Sequence, residues 1–197
     1  MRRLEFWYDF GSTYSYLSAM RIEQLAAAAD VEIVHRPFLL GPIFKAQGWD
    51  TSPFQLYPDK GRYMRRDMER IAAERGIAFN FPSTFPVNSL HAARMALAGE
   101  ADGWIGRFAH AVFKAQFAER RDIADRAVLA EIASGLGIDS GWLLERSNAP
   151  EIKSALRQQT ERAAALHIFG APTFITSGSE LFWGDDRLEQ AIAWSSR

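Results

Sequence analysis

The chain has 197 residues, a net charge of −1 at neutral pH, 48% hydrophobic and 13% aromatic residues, and no cysteine. Such a length and apolar content suit one large domain, or one domain with an insertion, around a real core, and the balanced charge gives no global case for binding nucleic acid or a membrane surface. Without cysteine there is no disulfide, thiolate nucleophile or cysteine metal site, so any thiol in the chemistry must arrive on a ligand.

Leu4 to Phe10 is short and rich in aromatic residues, which predicts a buried strand. From Ser15 onward Ser18, Ile22, Leu25 and Ala29 recur at helical spacing and predict one helix lying on a sheet. Val31 to Arg36 alternates before Pro37 and predicts a second strand, so the opening reads β-α-β with a parallel pair. Gly41 to Pro58 reads as a loop with a short helix at Ile43 to Gln47. Met64, Met68 and Ile71 mark an amphipathic helix, Phe79 to Pro86 is irregular, and Asn88 begins a further helix. Helices carrying Trp104 to Phe117 and Leu129 to Leu136 follow, with Asp125 and Asp139 as N-caps of the last two in this region. Pro150 opens a long helix. Pro172 to Thr176, a turn at Ser177-Gly178, Leu181 to Trp183 and a helix from Asp185 complete the chain.

The order is that of a thioredoxin-like α/β domain (β-α-β … α-β-β-α) split by a large all-helical insertion. The expected boundaries are 1–41 and 147–197 for the thioredoxin-like domain and 42–146 for the insertion. No stretch approaches the roughly 20 apolar residues of a membrane span. Met1-Arg2-Arg3-Leu4-Glu5 lacks the apolar run of a secretion signal, so the expectation is a cytoplasmic protein.

Ser12 stands where the first strand hands over to the helix. Free backbone N–H groups and the positive helix end there favour an anion, including a thiolate on a ligand; the plainer reading is that Ser12 or Ser15 caps the helix. A serine hydrolase is disfavoured, because no Gly-x-Ser-x-Gly elbow exists and none of the four histidines is an evident base. Pro172 follows Gly170-Ala171, where a cis bond would present the backbone of Ala171 to a peptide ligand and a trans turn would not. Asp185 and Asp186 suit N-capping, and equally the grip of a ligand ammonium group. The run Lys60, Arg62, Arg65, Arg66 and Arg70 reads first as a solvated face and second as a carboxylate anchor, while Trp104, Phe108, Phe113 and Phe117 read as core. No cluster has metal-ligand spacing.

Ser12-Thr13-Tyr14-Ser15-Tyr16, Gly170-Ala171-Pro172-Thr173 and Trp183-Gly184-Asp185-Asp186-Arg187-Leu188, in this order, resemble the 2-hydroxychromene-2-carboxylate isomerases, which stand with the kappa-class glutathione transferases in the DsbA-like group. The likeness also takes in Pro37-Phe38-Leu39 and Lys60-Gly61-Arg62-Tyr63. It implies a glutathione-dependent, homodimeric isomerase acting on a small aromatic carboxylate, interconverting a cyclic hemiketal acid and trans-o-hydroxybenzylidenepyruvate, with no metal. Ser12 would activate the glutathione thiol as the catalytic residue, with Thr13 and Tyr14 beside it. Ala171 and Pro172 would pair with the cysteinyl backbone, and Asp185 and Asp186 would hold the γ-glutamyl end. Two positions depart from the family pattern: Thr13 replaces a proline, and Trp49 stands where an asparagine contact to glutathione is usual. Lys45 and Asn88 are candidates to compensate, beside the plainer readings of capping and surface roles. A glutathione transferase that keeps the conjugate, or a thioredoxin-like binder without turnover, are the alternatives.

Overall fold

The computed structural model describes residues 2–196, so Met1 and Arg197, the outermost ends of the two expected thioredoxin-like segments, lie outside the described residues. Among the described residues four strands, β1 (Arg3–Tyr8), β2 (Glu32–Pro37), β3 (Thr173–Thr176) and β4 (Leu181–Trp183), form one mixed sheet in the order β2-β1-β3-β4. β1 pairs parallel to β2 and antiparallel to β3, with Phe6 opposite both His35 and Phe174. Side chains alternate across a strand. Leu4, Phe6 and Tyr8 therefore join one core cluster, while Trp7 joins Phe38, Ile43, Ala163, Ile168 and Ile175 on the other face.

The single helix expected after Ser12 is two, α1 (Thr13–Ala19) and α2 (Ile22–Ala28). Between them Arg21 leaves the helical region at φ −127°, and its guanidinium reaches Asp185 and Glu189. The stretch after Pro37 is more helical than composition suggests: α3 (Leu40–Ala46) and α4 (Pro53–Leu56) precede α5 (Pro58–Glu74), which buries Met64, Met68 and Ala72. Next come α6 (Leu90–Ala98), α7 (Ile105–Phe117), α8 (Arg126–Gly135), α9 (Ser140–Arg146) and α10 (Pro150–Ala165). Asp125 and Asp139 cap α8 and α9, accepting from Ala127 N–H and Trp142 N–H. A 3₁₀ turn (Asp185–Arg187) leads into α11 (Leu188–Ser195).

The helical insertion shares its core with the sheet. Phe113 of α7 packs on Phe10 and Tyr8 with ring centroids 4.9 and 5.6 Å away, and Phe117 lies 5.4 Å from Tyr16. All five of these rings are buried, each stabilising the fold by roughly 1.5–3 kcal/mol. The strand-to-helix junction is thus held from the insertion side. Among the described residues no helix is long and apolar enough to cross a membrane.

Candidate active site

β1 ends at Tyr8, and the next four residues turn into α1 under the control of Asp9. This aspartate is 6% exposed. Its carboxylate accepts Gly11 N–H at 2.8 Å and Leu40 N–H at 2.7 Å, the Ser89 hydroxyl also bonds to it, and its own carbonyl accepts Ser12 N–H at 2.9 Å. One side chain thereby ties the junction to the start of α3 and the approach to α6. Burial raises the Asp9 carboxyl above the ordinary range, and the three hydrogen bonds pull against it. Nothing in the linear pattern singled Asp9 out; an acidic residue directly after an aromatic strand was the available signal.

Ser12 is the N-cap of α1, its Oγ accepting Ser15 N–H at 3.1 Å. The same hydroxyl donates to the Ala171 carbonyl at 3.0 Å. Thr13 in place of proline leaves the cap intact, and its side chain points to Met64 Sδ inside the core. The Tyr14 hydroxyl donates to Asp67 at 2.8 Å, and burial, then that carboxylate, raises its pKa. Across the junction the Ala171–Pro172 bond is cis, and the Pro172 carbonyl accepts Gly184 N–H at 3.0 Å. Gly170 lets this loop lie against Trp183, since a Cβ there would come within 2.5 Å of the indole nitrogen.

These segments form the floor of a cavity of about 1200 Å³. Its walls come from α3, α4, one side of α5 from Lys60 to its C-terminal end, Phe85 to Leu90 and the turn before α11. One part is apolar, with Leu39, Pro42, Phe44, Trp49, Phe54, Phe85 and Pro86; another is polar, with Asp67, Arg75, Asp185, Asp186 and Arg187. A volume of this order holds a tripeptide and a small aromatic acid together.

The expected site residues divide accordingly. Ser12, Thr13, Tyr14, Trp49, Asn88, Ala171, Pro172, Asp185 and Asp186 all line the cavity. Trp49 packs on Phe44 with the rings tilted by 46° and centroids 5.8 Å apart, and is an apolar wall. Asn88 bonds Leu90 N–H at 3.0 Å, a capping contact before α6. Lys45 matches its plainer, surface reading: it is exposed on α3, which turns it to solvent, and it does not line the cavity. Lys60, from the first turn of α5, lines the cavity instead, its ammonium 4.7 Å from the Tyr57 ring centroid. The rest of the basic run faces outward, Arg62 on Asp59 and Arg66 on Glu69. Asp185 is 3% exposed, and Ser18 at 2.8 Å, Arg21 at 3.0 Å and Arg75 occupy its carboxylate. Asp186 is exposed, and among the described residues its ion-pair partner is Arg187, at 3.5 Å.

A capped strand-to-helix junction facing a cis-proline loop is the arrangement of thioredoxin-type proteins, and the family model of the DSBA-like thioredoxin domain matches residues 3–192. The chain belongs to the DSBA-like thioredoxin family. Within it, a 2-hydroxychromene-2-carboxylate isomerase of Sphingobium xenophagum is 27% identical over 191 residues, 95% of each protein. Glutathione S-transferase kappa 1 of Homo sapiens is 26% identical, covering 95% of this chain and 88% of its own length. A solved 2-hydroxychromene-2-carboxylate isomerase superposes with a TM-score of 0.87 at 25% identity, covering 98% of this chain and 93% of that one. This DSBA-like chain carries a serine, not a cysteine, at its junction.

Proposed function

We propose that the protein is a glutathione-dependent isomerase of aromatic ring-cleavage products, of the 2-hydroxychromene-2-carboxylate type. The observation that carries the reading is the Ser12 hydroxyl at the floor of the cavity, 3.0 Å from the Ala171 carbonyl and next to an apolar aromatic wall. Glutathione fits the donor set: among the described residues Ala171 N–H has no acceptor, so an extended cysteinyl backbone has a partner beside Ser12. When bound, glutathione supplies a thiol nucleophile for the conjugated double bond of the substrate, about which isomerisation takes place.

The chain's own residues do the rest. Ser12 donates to the sulfur and favours its ionised form. Thr13 and Tyr14 N–H groups lie in the first turn of α1, where helix geometry leaves donors without intrahelical partners. Asp186, exposed and paired with its neighbour Arg187 at the surface, takes the γ-glutamyl ammonium, while Asp185 holds Arg75 and the turn in place. Lys60 attracts the substrate carboxylate, and Phe44, Trp49, Phe54 and Phe85 exclude water from its ring. A cytoplasmic homodimer is proposed from the family resemblance. The second reading, a transferase that retains the conjugate, is favoured by the similar identity to the kappa 1 enzyme.

The test is titration calorimetry of glutathione into the wild type and Ser12→Ala, with ultraviolet difference spectra for thiolate. Binding with a thiolate signal near neutral pH in the wild type, and loss of that signal in the variant, is expected. A wild type that binds no glutathione sinks the proposal. Loss of free thiol in step with turnover of a hydroxychromene acid selects the transferase.

A further inference from the structure

Ser12 has one hydroxyl proton, and its destination is visible: the Ala171 carbonyl, 3.0 Å away. The oxygen is already committed as acceptor to Ser15 N–H. A hydroxyl donates a single hydrogen bond, so Ser12 cannot hold the carbonyl and a sulfur together. Ala171 is in the opposite condition on its other side, with an N–H that has no acceptor among the described residues. The two halves of the site, 159 positions apart in sequence, thus satisfy each other before any ligand arrives.

From this pairing we infer that ligand entry is an exchange of partners, and that the site selects thiols carrying an amide N–H two carbons from the sulfur. This deepens the glutathione reading and rests on it. On binding, Ser12 turns its proton from the Ala171 carbonyl to the sulfur, the thiol proton leaves to solvent, and the ligand's N–H takes the carbonyl that Ser12 released. In an S–C–C–N–H unit the sulfur and nitrogen are three bonds apart, a span comparable with the 3.0 Å between Ser12 Oγ and the Ala171 oxygen. A simple alkyl thiol offers no such N–H. It either leaves the half-buried carbonyl bare or leaves Ser12 where it was, without support for the thiolate, and each loss weakens binding about tenfold. The apolar wall and the charged turn then distinguish among thiols that pass this requirement.

The experiment compares two ligands and three proteins by calorimetry: glutathione and its thiol-free isostere γ-glutamyl-2-aminobutyryl-glycine, with wild type, Ser12→Ala and Ser12→Thr. In Ser12→Ala the Ala171 carbonyl starts bare, so an incoming amide gains more than in the wild type. The isostere is expected to bind this variant about threefold to tenfold more tightly, while glutathione binds it less tightly, because the charge-assisted O–H···S⁻ bond it forgoes is about twice as strong as the neutral O–H···O=C bond that Ser12 gives up in the wild type. Ser12→Thr, which keeps the hydroxyl and a good cap, should restore both wild-type affinities and shows that the changes are not misfolding. Opposite shifts for the two ligands support the exchange. Equal shifts in one direction, or none for the isostere, overturn it while leaving glutathione binding established; no binding of glutathione to the wild type removes the underlying reading as well. A second arm uses N-acetylcysteamine and 1-propanethiol: a bound thiolate signal for the first and not the second is expected, and equal signals refute the amide requirement.

Discussion

Replacing Asp9 by asparagine tests the role of the buried carboxylate at the junction. Asparagine keeps one acceptor oxygen, enough for Gly11 N–H or Leu40 N–H, and turns an NH₂ toward the other, donor against donor; Ser89 can rotate to accept from it. An orphaned buried N–H costs about 1–3 kcal/mol, and the surviving bond weakens by about 1 kcal/mol on losing its charge. Against this stands relief from burying a carboxylate, the largest influence on the raised Asp9 pKa. A net loss of about 2 kcal/mol at neutral pH is expected, a fall in Tm of about 4–8 °C for a chain of this size, read by thermal melts and paired urea titrations. The pH dependence has a definite sign. Between the ordinary value of 3.8 and its raised folded value, native Asp9 retains a proton that the unfolded chain has released. Stability from Asp9 is therefore fullest below about pH 4 and declines as pH rises through the folded pKa, by up to about 1.4 kcal/mol per unit. Asparagine does not titrate, so the wild-type margin should narrow with rising pH. An asparagine variant as stable as wild type at pH 7, or a margin that widens across that window, would refute the reasoning.

Asp185→Ala should destabilise by about 2–3 kcal/mol in urea titrations, below the 3–5 of a fully buried pair, because Arg21 and Arg75 keep 17% and 26% side-chain exposure; a change under about 0.5 kcal/mol would contradict the network. Trp49→Ala should weaken binding of a probe aromatic carboxylate such as salicylate about tenfold through loss of the wall it forms with Phe44, and unchanged fluorescence titrations would exclude that role. Burial pushes the Tyr16 phenol from 10.0 up to about 12, and its hydroxyl donates to the Ala78 carbonyl. Its stabilising effect is whole below about pH 10 and is lost as pH rises through about 12. Spectrophotometric titration of Tyr16→Phe against wild type should accordingly differ only above about pH 11.

Much of this molecule is written locally. A short aromatic run predicts β1, alternation predicts β2, an acidic cap predicts the starts of α8 and α9, a proline predicts the start of α10, and Ser12 reads as a cap from its place at a strand-to-helix handover. These depend on neighbours within a few residues, so the chain alone determines them. The break at Arg21, by contrast, accompanies contacts with Asp185 and Glu189 more than 160 positions away. That Asp185 is buried under Arg21 and Arg75 while Asp186 stays exposed beside Arg187 was equally beyond the linear pattern, as was the entry of Lys60 and not Lys45 into the cavity wall, because each depends on how separate elements pack around the cavity. The Ser12 proton also goes to an atom 159 residues away. Local spacing determines which side chains a helix or strand displays. Only the packing of Phe113 and Phe117 against the junction, and of the cis-proline loop across from it, decides which of those atoms meet.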